Sequence, residues 1–293
     1  MKNKDIITIF VATDENYLPQ TYVCLQSIVN NISSDNKYDV KILSNIKEKD
    51  KEDYFNNLID SLRRENFSIE IFDLIEEFDK NPLLSDKTIL GSYPPSIFSR
   101  VFIPDLFPNV DKAVYLDVDT IVNIDIAELY NVQLEDNFIA AIPDYALSSV
   151  PPCYDFVLFV LYLIPEEYVN SGVLVLNLKK MREENFFNSC IEIIKEKGKF
   201  GCPDQDVLNL ACLGKILFID KLYNISIKCF LNPEMFEDYI EEVKKQHPKI
   251  IHYNTFEEGR PWNNPKTPYG EYFWNVAKET PYYEHFSKTA KQV

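Results

Sequence analysis

The sequence predicts an α/β domain with a mostly parallel central sheet flanked by helices and a short helical, aromatic C-terminal tail. Three observations predict it. Short apolar runs alternate with segments of helical periodicity through the first half of the chain. One of those runs stops abruptly in two acids, Asp117 and Asp119, where a parallel sheet collects its ligands. The tail from Thr267 onward is rich in Tyr, Phe and Trp, as expected of short helices wrapped on a body.

Each element can be read in order. Ile6 to Ala12 reads as a buried strand. After Pro19, the residues Thr21, Cys24, Leu25 and Ile28 fall at i, i+3, i+4 and i+7, one face of a helix. Tyr38 to Leu43 reads as a second strand, and Phe55, Leu58, Ile59 and Leu62 repeat the helical spacing. Phe67 to Phe72 and Ala113 to Leu116 read as the next strands, then Phe138 to Ile142 and Val173 to Leu178. Phe187, Cys190, Ile191 and Ile194 mark another helix face. Pro203 opens a helix carrying Val207, Leu208, Leu210 and Ala211, with acids in its first turn. Glu234 to Lys245 reads as an acidic, amphipathic, solvated helix, and Ile250 to His252 as a last strand.

Composition excludes several classes. At 293 residues, 46% of them hydrophobic, the chain can bury a sizeable core. A formal charge of −16 would repel a nucleic-acid backbone, so no nucleic-acid partner is expected. A nucleotide remains acceptable if a divalent cation bridges the anions. Seven glycines in all leave no Gly-rich phosphate loop. Six scattered cysteines, without a Cys-x-x-Cys pair, suit a reducing cytoplasm. Met1 to Asp5 and the strand after it lack a secretory pattern. The most apolar stretch, Phe156 to Ile164, is shorter than the ~20 residues that span a bilayer and reads as buried or interfacial. The tail Ser287 to Val293 has Lys288 and Lys291 but is too short for an anchor, leaving peripheral membrane association open.

The chemistry centres on Tyr115-Leu116-Asp117-Val118-Asp119. Alternate residues of an extended segment point the same way, so both acids can reach one cation, and Mn²⁺ or Mg²⁺ prefers such oxygen ligands. Taken alone, the pattern reads more readily as a solvated strand end than as a metal site. His252, at the end of an apolar strand, could add an imidazole ligand or be a hydrogen-bonded structural histidine. Arg260 follows in Arg260-Pro261-Trp262 and offers a cation for a diphosphate.

Together these segments resemble glycosyltransferase family 8. The carriers are FVATDENYLPQTYVCLQSI, SIFSRVFIPDLFP, KAVYLDVDTIV, IAAIPD, YVNSGVLVLNLKKMR, PDQDVLN and IIHYNTFEEGRPWN, spread over about residues 6 to 262. The resemblance implies a GT-A type catalytic domain over 1–265 with a helical tail over 266–293. It implies transfer of glucose or galactose from UDP-glucose or UDP-galactose to a saccharide or glycolipid acceptor, with retention, in bacterial surface-glycan synthesis. Asp117, Asp119 and His252 look like the ligands of Mn²⁺ or Mg²⁺. Ala12, Asp14, Asn16 and Tyr17 look like the uridine segment, and Val118 and Arg260 like further donor contacts. Arg100 and Asn170 look like part of the donor-sugar shell, with Asp144, Asp204 and Gln205 as its catalytic members. Gln205 is an amide and a poor nucleophile, which favours attack from the leaving group's own face over a covalent intermediate.

The chain departs from the family at His-x-x-Gly-x-x-Lys-Pro-Trp. Eight residues separate His252 from Pro261 where the pattern has six, Thr255 takes the glycine's place, and Arg260 stands for the lysine. Glu257 and Glu258 would oppose a diphosphate unless they face solvent. Pro82 to Ser96 and Tyr253 to Pro261 read as lids. Two alternatives stay open: a haloacid-dehalogenase-like phosphatase, which also uses a strand followed by Asp-x-Asp, and a catalytically silent sugar-nucleotide-binding protein.

Overall fold

The fold was obtained as a computed structural model that describes residues 6–46 and 51–290. Expectations for Met1 to Asp5 and for Lys291 lie outside the described residues. Ten strands occur among the described residues: β1 (Ile6–Thr13), β2 (Lys37–Ser44), β3 (Phe67–Asp73), β4 (Ala113–Asp117), β5 (Thr120–Val122), β6 (Ile139–Ala141), β7 (Val173–Leu176), β8 (Ile216–Phe218), β9 (Ile225–Ser226) and β10 (Ile250–His252). Seven form the main sheet in the order β3-β2-β1-β4-β7-β6-β8. β3, β2, β1 and β4 run parallel, β7 is antiparallel to β4 and β6, and β8 is parallel to β6. A second sheet, β5-β10-β9, sits beyond the carboxyl end of β4.

The sheet is apolar on both faces because successive residues point opposite ways. Phe10, Leu43, Tyr115, Leu174 and Leu176 pack on one side with Phe98, Phe102 and Cys190. Ile9, Val11, Val40, Ile42, Val114, Leu116 and Val175 pack on the other with Leu25, Ile28, Leu58 and Leu62. The latter four lie on helices Leu18–Val29 and Glu52–Leu62, as their spacing predicts.

Several expectations need correction. The strand expected to run to Leu178 stops at Leu176, because the Asn177 side chain accepts from the Lys180 amide at 3.1 Å and caps a helix over Leu178–Glu183. The helix Phe186–Lys197 buries Phe186, Cys190 and Ile194, while Phe187 and Ile191 flank that face half-buried. The acidic helix spans Glu237–Lys244 and is not wholly solvated: Tyr239, Ile240 and Val243 pack on Leu222, Ile225 and Phe230. Within Phe156 to Ile164, Val157 and Leu161 turn inward, but Phe159, Val160 and Ile164 are exposed. Among the described residues no helix is long and apolar enough to cross a membrane. The tail forms helices Gly270–Ala277 and Tyr283–Ala290, whose Phe273, Ala277 and Phe286 share a cluster with Val23, Ile251 and Trp262.

Candidate functional site

The carboxyl ends of β1 and β4, together with β10, open into one cleft of about 620 Å³, within the range that holds a nucleotide-sized ligand. β4 ends at Asp117, and the chain turns through Val118 and Asp119 into β5. The two acids are therefore brought together by a turn between two sheets and not by continued strand alternation. The turn is held by the Asp117 amide donating to the Gly172 carbonyl at 2.8 Å and the Tyr253 amide donating to the Asp119 carbonyl at 2.9 Å. β10 lies between β5 and β9, and this pairing delivers His252 to the same point.

There His252 Nε2 stands 3.1 Å from Asp119 Oδ1 and 3.8 Å from Asp117 Oδ2. One ligand atom from each of the three lies within 4.8 Å of the others. Two carboxylate oxygens and an imidazole nitrogen fit Mn²⁺ or Mg²⁺. Burial works against the Asp119 carboxylate, yet the pull of His252 and Arg260 outweighs it and holds the carboxyl below its usual range. Burial likewise disfavours His252 in its charged form, and the two aspartates reverse this, raising its pKa.

Arg100 is buried beside the cluster and is no surface ion pair. Its Nη2 donates to Asp117 Oδ1 at 2.8 Å and faces Asp204 Oδ2 at 3.2 Å; its Nη1 donates to the Ser171 carbonyl. The Tyr115 hydroxyl also donates to Asp117 Oδ1, at 3.0 Å, so Oδ2 is the atom left toward His252. Burial raises the Asp204 carboxyl above its usual range against the pull of Arg100. Asp14 accepts from the Asn16 amide at 2.9 Å and from the Ser96 hydroxyl at 3.0 Å. Burial pushes the Tyr17 hydroxyl up to about 12, so that ring stays neutral. Arg260 lies 5.6 Å from the Tyr17 ring centre and donates through Nε to the Thr255 carbonyl at 3.0 Å.

Of the residues expected from the sequence, all but Asn16 and Asp144 line this cleft. Asn16 is exposed outside it, with its backbone amide committed to Asp14. Asp144 is buried behind Gln205 and Asn170. Gly259 is buried and does not line the cleft; an added Cβ there would come within 2.7 Å of Thr255 Cγ2. Glu257 lies at the cleft and is exposed; the side chain of Glu258 is outside the described ones. Both expected lids contribute walls: Ser92, Tyr93, Pro94 and Ser96 from one, Asn254, Thr255 and Phe256 from the other. Sequence reasoning missed Ser171, Cys202 and Lys228, which also line the cleft. Lys228 lies in the five-residue helix Ile227–Leu231 after a two-residue strand, both too short to register as a pattern, and it has no hydrogen-bonding or ionic partner among the described residues.

The profile of glycosyl transferase family 8 matches residues 8–265, a span that contains the whole cleft. The chain belongs to glycosyltransferase family 8. A Haemophilus influenzae protein named as an inferred glycosyltransferase is 27% identical over 260 residues, 85% of this chain and 75% of that one. An Escherichia coli lipopolysaccharide 1,2-glucosyltransferase is 28% identical over 131 residues, 43% of this chain and 38% of that one. Among solved structures, the bifunctional glycosyltransferase WbbM superposes with a TM-score of 0.81 at 25% identity over 99% of this chain, which spans only 52% of that longer one. The fold of this family member is thus of the GT-A type, and the phosphatase alternative is set aside.

Behind the cleft, Asp206 illustrates how burial shapes this family member's pH response. It is 2% exposed, accepts from the Tyr168 hydroxyl at 2.5 Å and from the Gly201 and Cys202 amides at 2.7 and 3.0 Å, and burial raises its carboxyl to about 6. A folded-state value above the unfolded one gives stability that is full at pH below about 4 and lost as pH rises through 6. Asp206→Asn can keep an oxygen toward the two amides and turn its NH₂ to the Tyr168 oxygen. Its stability relative to wild type should therefore rise by roughly 1 to 2 kcal/mol between pH 5 and pH 8, read by urea unfolding at both values. A pH-independent difference would contradict the assignment.

Proposed function

We propose that this family 8 member is a retaining, divalent-metal-dependent hexosyltransferase. It would move glucose or galactose from a UDP-sugar to a saccharide or glycolipid acceptor in bacterial surface-glycan synthesis. The observation that carries the reading is the Asp117, Asp119 and His252 cluster at the carboxyl end of a parallel sheet. The lipopolysaccharide relative supports the acceptor class.

A divalent ion held by these three side chains supplies Lewis acidity toward the diphosphate oxygens. The chain's own groups do the remaining work. Tyr17 offers an aromatic face to the base, with Asp14 at the end of the same strand. Among the described residues Arg260 and Lys228 line the cleft without a carboxylate in ion-pair contact, unlike Arg100, and bind the diphosphate. Asp204 and Asn170 meet sugar hydroxyls. Gln205 already accepts from Asn170 Nδ2 at 3.0 Å and from the Ser171 amide at 3.1 Å, and it donates to Asp144 at 3.1 Å. Its amide is rigidly held and is a poor nucleophile, and Asp144 lies behind it, which favours same-face attack over a covalent intermediate.

Release of UDP from UDP-glucose or UDP-galactose with Mn²⁺, abolished by EDTA and restored by Mn²⁺, is the expected result. EDTA-insensitive release, or none with either donor, would refute the reading. Lys228→Met should raise the donor KM about tenfold or more, since a charged hydrogen bond is worth about 1.5–3 kcal/mol. Isothermal titration with UDP and Mn²⁺ measures the same loss directly.

A further inference from the structure

Asp144 sits where a catalytic carboxylate was expected, yet both its oxygens point into the protein. We propose that Asp144 and Asn224 are positioning residues of a one-way amide relay that keeps a proton on His252 Nδ1 and so leaves Nε2 as the nitrogen for the divalent ion. The proposal rests on the metal reading above and adds which residues fix the ligand's tautomer.

The polarity of the relay follows from one rule: a carboxylate accepts and cannot donate. Asn170 Nδ2 and Gln205 Nε2 therefore both donate to Asp144 Oδ2, each at 3.1 Å, while the Leu147 amide donates to Oδ1 at 3.0 Å. With its NH₂ turned to Asp144, Gln205 must present Oε1 the other way, where the Ser171 amide and Asn170 Nδ2 donate to it. The NH₂ of Asn170 is now committed, so its Oδ1 accepts from the Gly172 amide at 3.0 Å and from Asn224 Nδ2 at 2.8 Å. The NH₂ of Asn224 is thereby fixed as well. Only its Oδ1 remains for His252 Nδ1, 2.9 Å away, and an oxygen there requires an N–H.

The order cannot invert. Flipping Gln205 or Asn170 would set NH₂ against the backbone N–H of Ser171 or Gly172, and flipping Asn224 would set its oxygen against Asn170 Oδ1; an unmatched buried polar group costs about 1–3 kcal/mol. Asp144, Asn170, Gln205, Asn224 and His252 are all buried, so water offers no substitute partners. A hydrogen-bond partner on the far ring nitrogen orients a metal-binding histidine in this way. In this chain the path also passes through Gln205, which ties the donor-sugar wall to the ligand.

Two measurements test the relay. In ¹⁵N-histidine-labelled protein, long-range ring correlations should show Nδ1 of His252 protonated, both metal-free and with saturating Mg²⁺. The chain has three histidines, and His247→Gln and His285→Gln complete the assignment. A bare Nδ1 in the metal-free protein would overturn the relay. Asn224→Leu removes the acceptor, and its Mn²⁺ affinity, followed by the EPR signal of free Mn²⁺, should fall 10–100-fold. Asn224→Asp keeps an oxygen for Nδ1 but loses the donor to Asn170 Oδ1, so its Mn²⁺ affinity should fall less than that of Asn224→Leu. A folded Asn224→Leu variant with unchanged affinity refutes the proposal. Wild-type protein that binds no Mn²⁺ strikes the metal reading instead, and the ring-nitrogen signature still decides the relay.

Discussion

Asp119→Asn is expected to lower kcat/KM for sugar transfer by about a thousandfold or more, with little change in melting temperature. A metal acting as a Lewis acid is worth several kcal/mol, and each 1.36 kcal/mol is a factor of ten. The substitution is nearly isosteric. The turn is held by the backbone carbonyl of residue 119, which accepts from the Tyr253 amide and survives the change. What goes is the negative charge beside His252 and one of three ligand oxygens or nitrogens. Asp117→Asn should be as inactive but less stable. Asp117 Oδ1 takes the Arg100 and Tyr115 bonds, and an amide there leaves a buried guanidinium facing Asp204 alone. Steady-state kinetics with UDP release, run beside thermal melts, separates the two variants. Asp119→Asn activity within tenfold of wild type would mean that the cluster holds no catalytic ion.

Much of this site was legible because its parts lie at strand ends. β1, β2, β3, β4 and β10 each contain enough apolar residues to stand out; Asp117 and His252 close β4 and β10, and Asp14 and Asp119 lie just past β1 and β4. The rest was not legible for physical reasons. β8 has three residues and β9 two, too few to show a period of two. The antiparallel course of β7 depends on where the chain returns, which no local pattern records. Asp144 was expected at the sugar because its place in the chain resembles a catalytic position, but the direction of a carboxylate is set by the amides of Asn170, Gln205 and Leu147 around it. Asn224 carried no signal at all. An asparagine between Tyr223 and Ile225 has no periodicity to break, and its importance comes from which way its amide must face.

Gly172→Ala should cost Mn²⁺ affinity about a hundredfold or more, although a methyl group is the smallest side chain that can be added. A Cβ at 172 would lie 2.7 Å from Asp117 Oδ2 and 2.9 Å from His252 Nδ1, and would collide with His252 Cε1. None of these can yield cheaply. His252 is paired through its backbone to β5 and β9 and through Nδ1 to Asn224. Asp117 is tied to Arg100 and Tyr115. Residue 172 cannot withdraw either, because its carbonyl receives the Asp117 amide and its own amide donates to Asn170. The methyl must therefore spread the ligands or part β7 from β4. Overpacking of this kind costs typically about 1–3 kcal/mol in stability, and displaced ligands lose the ion. Gly198→Ala is the control: it is strained by a φ of +67° but meets nothing within 4 Å, and it should leave Mn²⁺ binding untouched. A Gly172→Ala protein that binds Mn²⁺ as wild type does would mean that Asp117 and His252 do not converge on one ion.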